Sequence, residues 1–441
     1  MLNNMKVMLT LRLILFLILG YLPFHTVLAR PISVPIGTIS ISNNSEVEVR
    51  LVKRFQRNNI NTKDTSDCYD QYINSPKSVR ILNNKHKFYV NSLEGCSTSV
   101  YSQDDFKLLK VIRHEFDSKN QYLFDQDYKV DCFFSTKVGQ LNYFNGKPVE
   151  SCLSHNGKYL WIPYYRRSYD HNATDPSAVC IVDTDTDTIV RVITVAPLPK
   201  MITCSPDNKI IAITHWGDST VTLIDISSFK PKEFRFIDNI VIDHKLLLKY
   251  NKNETIDRDH NCGNCLRGTV FTPDSKYIFV GKMGSDGIAI IDVRSRKYIA
   301  TVTGMKQNVR HLLIRNSILY LSINKTGFVQ KTSLNEFISH FLCKSKNEPY
   351  TKWKNAYVGL GARTISITPD GKYLFVAVNN ESKVVVVRTE DMKVIAKCET
   401  DSYPVGLDVS EDGKWIIVTS QGRGGEGGNS VMVYKVNYKK S

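Results

Sequence analysis

Apolar runs of strand length recur along this chain, each behind a compact polar turn. Lys276–Gly281 reads KYIFVG, Lys372–Ala377 reads KYLFVA and Lys414–Thr419 reads KWIIVT. Such β-branched and aromatic runs favour strands. The preceding turns are Pro-Asp-Ser, Pro-Asp-Gly and Glu-Asp-Gly, with Pro206-Asp207-Asn208 as a fourth version. These residues supply the fixed or positive φ that a tight turn requires. Around them a longer unit repeats: strand, S/T-P-D-G-K turn, strand, polar loop, then a strand ending in Asp. Residues 267–293, 363–387 and 405–436 carry it clearly, and 200–226 and 149–183 are looser copies. The Asp-terminated strands include IVD at Ile181, LID at Leu223 and AIID at Ala289. Strand-rich repetition at roughly 40–50 residues predicts an all-β, seven-bladed β-propeller.

The expected blades are residues 77–115, 149–195, 200–242, 267–302, 310–341, 363–399 and 405–436. The fifth has lost its P-D-G turn. The seventh reaches SVMVYKVNY with only three residues left, so its fourth strand is expected from the N-terminal side. An open sheet edge is an association liability. Glu46–Phe55, EVEVRLVKRF, alternates polar and apolar residues and is expected to pair beside Val431–Val436 and close the ring.

Residues 1–29 read as a secretory signal peptide, with Lys6 and Arg12, an apolar run Leu13–Leu22 and a small-residue site at Val27-Leu28-Ala29. That run is short for a permanent membrane span, which needs about 20 apolar residues. A soluble, exported chain is expected. Its formal net charge of +15 favours anionic partners.

The S/T-P-D-G-K-Y-L-F-V-A-x-N-x-x-x-x-V-x-V pattern resembles the YVTN-type propeller repeat of the YncE-like bacterial exported proteins. The resemblance covers most of residues 77–436. It implies the propeller fold and a periplasmic or cell-surface, extracellular location in a bacterium. It leaves activity open, because that repeat hosts binding proteins, haem-bearing domains and lactone-hydrolysing relatives. Three insertions depart from the plain repeat, at Phe116–Gly146, Pro163–Ser177 and Phe236–Asn264.

Propeller register places the loops joining second to third strands on the same face as the blade-to-blade connections. That face is expected to gather Tyr164, Arg166, Arg167 and His171 from the second blade and His215 and Trp216 from the third. Arg258 and His260, from the loop entering the fourth blade, join them. Trp216 and the Tyr164–Tyr165 pair offer flat faces for a sugar ring or a base. The first position of the first strands is Lys77, Val149, Lys200, Arg267, Arg310, Arg363 and Val405, five of them basic. First strands line the central channel, so Lys77, Lys200, Arg267, Arg310 and Arg363 are expected to ring its mouth and face an anion, for which the forked arginine donors are suited.

All ten cysteines follow the signal segment. Cys152, Cys180, Cys204 and Cys398 lie in apolar strands and read as buried packing residues. His260, Cys262 and Cys265 form H-x-C-x-x-C, which reads either as a disulfide or as a metal site. Cys68 and Cys96 are candidates for a second bridge. The order is wrong for covalent haem attachment. The expected function is an exported binding protein, with no obligatory cofactor, that engages an anionic small molecule, an acidic glycan or single-stranded nucleic acid. The alternatives are a metal- or haem-dependent enzyme or cofactor carrier using the His260–Cys265 loop, and an envelope scaffold for protein partners.

Overall fold

The computed structural model describes residues 33–124, 142–246, 256–343, 348–422 and 427–439. The expected signal segment, residues 1–29, and Cys132 lie outside the described residues. Seven sheets form among the described residues, each built on an antiparallel order of inner strand, second, third, outer; two of them carry added strands, and Asp67–Tyr69 joins the ring-closing sheet in parallel. Neighbouring inner strands touch around a ring that runs from blade 7 back to blade 1. The chain is a seven-bladed β-propeller, as the repeats predict.

Near-continuous apolar runs suit this architecture because each blade is covered on both faces. In Tyr373–Val378 of blade 6, Leu374, Val376 and Val378 pack with Tyr320 and Val329 of blade 5. The alternate residues Phe375 and Ala377 pack with Leu407, Ile416 and Met432 of blade 7. Period-two alternation thus separates two cores rather than core from solvent.

The conserved-looking turn has a repeated hydrogen-bond reason. Thr272 donates its hydroxyl to Asp274 at 2.6 Å and accepts the Tyr277 backbone N–H at 3.0 Å. Thr368 with Asp370 and Tyr373 repeats the arrangement, as does Ser410 with Asp412 and Trp415. The residue after each Asp has positive φ, 59° at Ser275 and 77° at Gly371, which accounts for the Gly/Ser/Asn choice there.

Two outlines differ from expectation. Blade 5 does not end near Phe341. Its third strand, Phe328–Ser333, runs into a helix, Leu334–Leu342, capped by Ser333, and its outer strand is Lys354–Tyr357. The missed helix packs Leu334, Phe337 and Phe341 against Phe279 and Tyr350. The Pro163–Ser177 insertion is partly strand, because the second strand of blade 2 runs without interruption from Tyr159 to Arg167. Its distal half pairs with an added strand, Phe144–Pro148.

Ring closure follows the sequence expectation. Val47–Gln56 lies antiparallel to Ser430–Tyr438, from Val47 opposite Tyr438 to Gln56 opposite Ser430. Arg54 fixes the joint. Its guanidinium donates to Asp67 through Nε at 3.0 Å, to the Val34 carbonyl at 2.9 Å and to Asp401 at 3.3 Å. Asp401, 3% exposed, also accepts from the Val34 N–H and the Ser430 hydroxyl. Replacing Arg54 strands a buried carboxylate, which typically costs about 3–5 kcal/mol. Arg54→Ala is therefore expected to lower the denaturant midpoint and to expose the closing strand to protease. An unchanged midpoint would show that strand pairing alone seals the ring.

Candidate functional site

Each inner strand carries an irregularity at the same level. Register breaks fall between Pro76 and Ser78, Pro199 and Met201, Leu266 and Thr269, Val309 and His311, Ala362 and Ile365, and Pro404 and Gly406. In blade 2, Pro148 faces Tyr164 and Cys152 faces Trp161, so four residues step against three. A bulge re-aims the extra side chain out of the sheet. The residues at these breaks are Lys77, Lys200, Arg267, Arg310, Arg363 and Val405, six of the seven positions that sequence register singled out. In blade 2 the break includes Glu150 beside Val149. The strands approach closely here. A Cβ on Gly406 would lie 2.7 Å from the Lys77 carbonyl, and one on Gly268 2.9 Å from the Arg310 carbonyl.

The five cations share one electrostatic neighbourhood. Burial pushes the Lys77 ammonium well below its ordinary pKa, and Arg363, Arg267, Arg310 and Lys200 add to the drop by repulsion. Burial also lowers Arg310 strongly, with Arg363 and Arg267 contributing. Arg363 moves down for the same first reason, opposed by Tyr403. Lys200 falls to about 7 through burial, although Asp259 opposes the shift. Two carboxylates answer these charges. Glu150 reaches across to Arg267 at 2.7 Å. Asp259 binds Lys200 at 3.1 Å, Arg166 at 3.4 Å and the Tyr165 hydroxyl. Lys200 also lies 4.0 Å from the centre of the Tyr165 ring and 4.8 Å from that of Trp216. A hollow of about 420 Å³ opens here, lined by Lys77, Lys147, Tyr165, Arg166, Lys200 and Asp259. Below the ring, a channel chamber of about 470 Å³ is lined by residues such as Cys152, Cys204 and His311.

The other candidate residues divide by burial. Arg166 is at the site, stacked 4.6 Å from the Tyr165 ring centre and donating to the His171 carbonyl. The His171 residue itself is exposed. Trp216 donates to the Asp259 carbonyl at 3.0 Å, which makes it a support for the carboxylate. Tyr164 is fully buried, with its hydroxyl 3.0 Å from His114, and belongs to the core. Arg167 is likewise buried, donating to the Ser177 carbonyl at 3.0 Å and stacked over Phe144. The strand continues through Pro163, and a register shift between Tyr164 and Arg167 lets both side chains be buried, where a loop would have released them. His215 is buried and bonded to Thr222 at 2.9 Å, and burial holds it neutral down to about 3. Arg258 is 6% exposed and donates to the Asn261 carbonyl. His260 is exposed and pairs with Asp257 at 3.1 Å.

Cys262 and Cys265 are joined in a disulfide. The H-x-C-x-x-C motif is thus present as a disulfide staple, the first of the two readings its spacing allowed. Among the described residues no three His, Cys, Asp or Glu side chains gather as metal ligands. Cys68 and Cys96 are free thiols, each turned onto a carbonyl of its own turn, Thr65 at 3.0 Å and Leu93 at 4.0 Å, so the second bridge is absent. The staple begins three residues after Asp259 and shapes the loop that carries it. Sequence register missed Glu150, one residue beyond the aligned Val149, because blade 2 lacks the P-D turn that fixes the count. Tyr403, beside Arg363 at 5.7 Å, was also missed.

Lys200 has a pH consequence with a definite sign. Its folded-state pKa, about 7, lies below the ordinary 10.5. Between these values the unfolded chain holds the proton that the folded chain has released, so this group's contribution to stability rises with pH. The difference in unfolding free energy between wild type and Lys200→Met is expected to grow from pH 7 to about 10. A flat difference would show that Lys200 titrates normally.

Comparison with known proteins agrees with the fold. Residues 154–441 match the family described as Lactonase, 7-bladed beta-propeller. Antigen Lp49 of Leptospira interrogans is 25% identical over 208 residues, spanning 41% of this chain and 40% of the antigen, so the match covers well under half of that relative. Hydrazine synthase of Kuenenia stuttgartiensis is a structural neighbour at TM-score 0.57 and 13% identity, covering 86% of this chain and 100% of that one. The Cps50 (Swd1) β-propeller domain of Myceliophteria thermophila gives 0.56 at 10% identity, covering 82% of this chain and 98% of that one. At such identities the structural likeness concerns the fold alone. The family match covers more than half of the sequence, and the chain belongs to the Lactonase, 7-bladed beta-propeller family.

Proposed function

We propose that this protein binds an anionic ligand at the channel mouth on its loop-rich face. The observation that carries the reading is the ring of Lys77, Lys200, Arg267, Arg310 and Arg363, brought to one level by repeated bulges and answered by only two carboxylates among the described residues. Buried like charges without full compensation are costly and cluster where a ligand supplies the missing charge. Acidic glycans, carboxylates and nucleic-acid phosphates share the required chemistry. Export fits the same picture. The relative Lp49 is named an antigen. The YncE-like likeness of the repeats supports a bacterial envelope location, where protein partners also remain open to test.

The family description favours a second reading, lactone hydrolysis at the same mouth. Glu150, Lys77 and Lys200 are groups on the ring able to accept a proton there. Acid release from a simple aldonolactone, followed by titration, separates the two readings.

Saturable binding of inorganic phosphate, measured by calorimetry at constant ionic strength, tests the binding reading. The double variant Arg310→Gln/Arg363→Gln is expected to lose most of the affinity, about tenfold or more per charge-assisted contact. Lys276→Gln, on an exposed turn, is expected to leave it unchanged. Binding that survives the arginine changes would place the site elsewhere.

A further inference from the structure

The turn joining the third and outer strands of blade 3 carries two phenylalanines with opposite fates. Phe234 is 1% exposed and stacks against His155 and Trp161, while Phe229 is 75% exposed. The backbone at Phe229 is nonetheless fixed. The Tyr159 hydroxyl donates to the Phe229 carbonyl at 2.8 Å, and His155 Nε2 donates to the Ser228 carbonyl at 2.9 Å. The Lys230 N–H donates to the Ser228 hydroxyl at 3.0 Å. Tyr159 and His155 are themselves buried, so core groups hold in place an apolar side chain that fills no core.

Cations accompany it. The same turn supplies Lys230, Lys232 and Arg235, and the matching turn of blade 4 supplies Arg294, Arg296 and Lys297, all exposed. The outer strands that follow, Arg235–Val241 and Lys297–Val302, come into contact, which makes the two turns neighbours. Glu233 answers Lys230 at 3.1 Å, and Asp292 is taken up by the hydroxyl and N–H of Ser295. The other five cations make no ion pair among the described residues. Both turns lie at the end of the propeller opposite the cationic mouth. In blade 3 the inner strand starts beside His215, at the mouth, and the third strand runs from beside His215 to beside Ile210 at the far end.

A projecting ring gains by leaving water, and uncompensated lysines and arginines gain from a negative surface potential. A soluble polyanion engages the cations and leaves Phe229 in water. A protein partner needs a pocket matched to one ring. A lipid surface satisfies both features, because any point of the boundary between headgroups and acyl chains accepts an aromatic side chain.

We propose that the blade 3 and blade 4 turns dock the propeller on an anionic lipid surface, with Phe229 as the inserted group. The inference stands apart from the anion-site reading, and it keeps the mouth clear of the bilayer.

The test is sedimentation of the full chain with vesicles of phosphatidylglycerol and phosphatidylcholine in equal parts, against vesicles of phosphatidylcholine alone. Binding is expected to be about tenfold or more tighter on the anionic vesicles, since each basic residue near such a surface contributes about fivefold. Phe229→Ser is expected to weaken it about tenfold. Arg294→Ser/Arg296→Ser is expected to weaken it about fivefold per charge. These side chains are exposed, so the variants keep the fold. In Phe229→Trp the added indole fluorescence is expected to be quenched by brominated acyl chains. Inorganic phosphate at constant ionic strength is expected not to release the protein.

Equal binding to both vesicles, or binding to neither, overturns the inference and leaves the anion site standing. Binding that Phe229→Ser does not weaken, with no quenching by brominated chains, overturns it in favour of a surface for soluble polyanions. Release by inorganic phosphate overturns it by moving the lipid contact to the mouth. A loss in Lys393→Ser, on the exposed matching turn of blade 6, as large as that in Arg294→Ser/Arg296→Ser overturns the assignment to blades 3 and 4.

Discussion

Closing seven sheets into a ring forces every inner strand past the same narrow level, and the chain places a bulge there each time. The bulge is the local event on which the site depends. Without it, the alternation of a regular strand would turn Arg267 or Arg363 between blades, where Leu266 and Ala362 pack. With it, five cations of the inner strands lie within one electrostatic space, Lys77 feeling all four of the others. Close approach of the backbones at Gly268 and Gly406 keeps that space narrow, so repulsion is stronger than scattered surface lysines would produce. Ring closure, fixed by Arg54 and Asp401, holds the level by preventing the blades from spreading.

The charge arrangement acts against the fold. Burial and mutual repulsion both depress Lys77 and Arg310, and the two carboxylates relieve only part of the ring. Strained or uncompensated features of this kind persist where the surrounding structure over-determines them. Here the over-determination is the blade cores, which fix both ends of every inner strand. The Cys262–Cys265 staple acts in the same sense on Asp259. It limits the loop beside the carboxylate, and the Trp216 indole holds the Asp259 carbonyl from the other side. The acid is thus a fixed counter-charge to Lys200 and Arg166. Burial alone would raise its pKa, and these partners bring it below the usual range.

Much of this was legible in the sequence because the repeat makes register readable. Once the P-D turns are aligned, Lys200, Arg267 and Arg363 follow by counting, and the strand runs after NNKHK and RNS add Lys77 and Arg310 to the same column. The closing strand was legible for a similar reason: an incomplete last blade needs a partner, and EVEVRLVKRF has its length and alternation. What could not be read depends on contacts between distant segments. Tyr164 and Arg167 sit in an apparent polar insertion, but the added strand Phe144–Pro148 extends the sheet and turns them inward. Their burial is a property of that pairing and not of their local sequence. Glu150 was hidden for the opposite reason, because the looser second repeat shifts the count by one.

The same reasoning explains why the fold constrains chemistry without selecting it. The cationic column needs only a basic residue at each bulge, and the blades tolerate Val405 at one position and Glu150 at another. Specificity therefore rests on the groups that break the symmetry. Glu150 pairs with Arg267 and also offsets Arg310 and Arg363, and Asp259 pairs with Lys200 and Arg166. Tyr165 and Trp216 close the mouth on the side of blades 2 and 3, where Lys200 already occupies their faces. Two carboxylates and one stapled loop thus break the near symmetry of the ring.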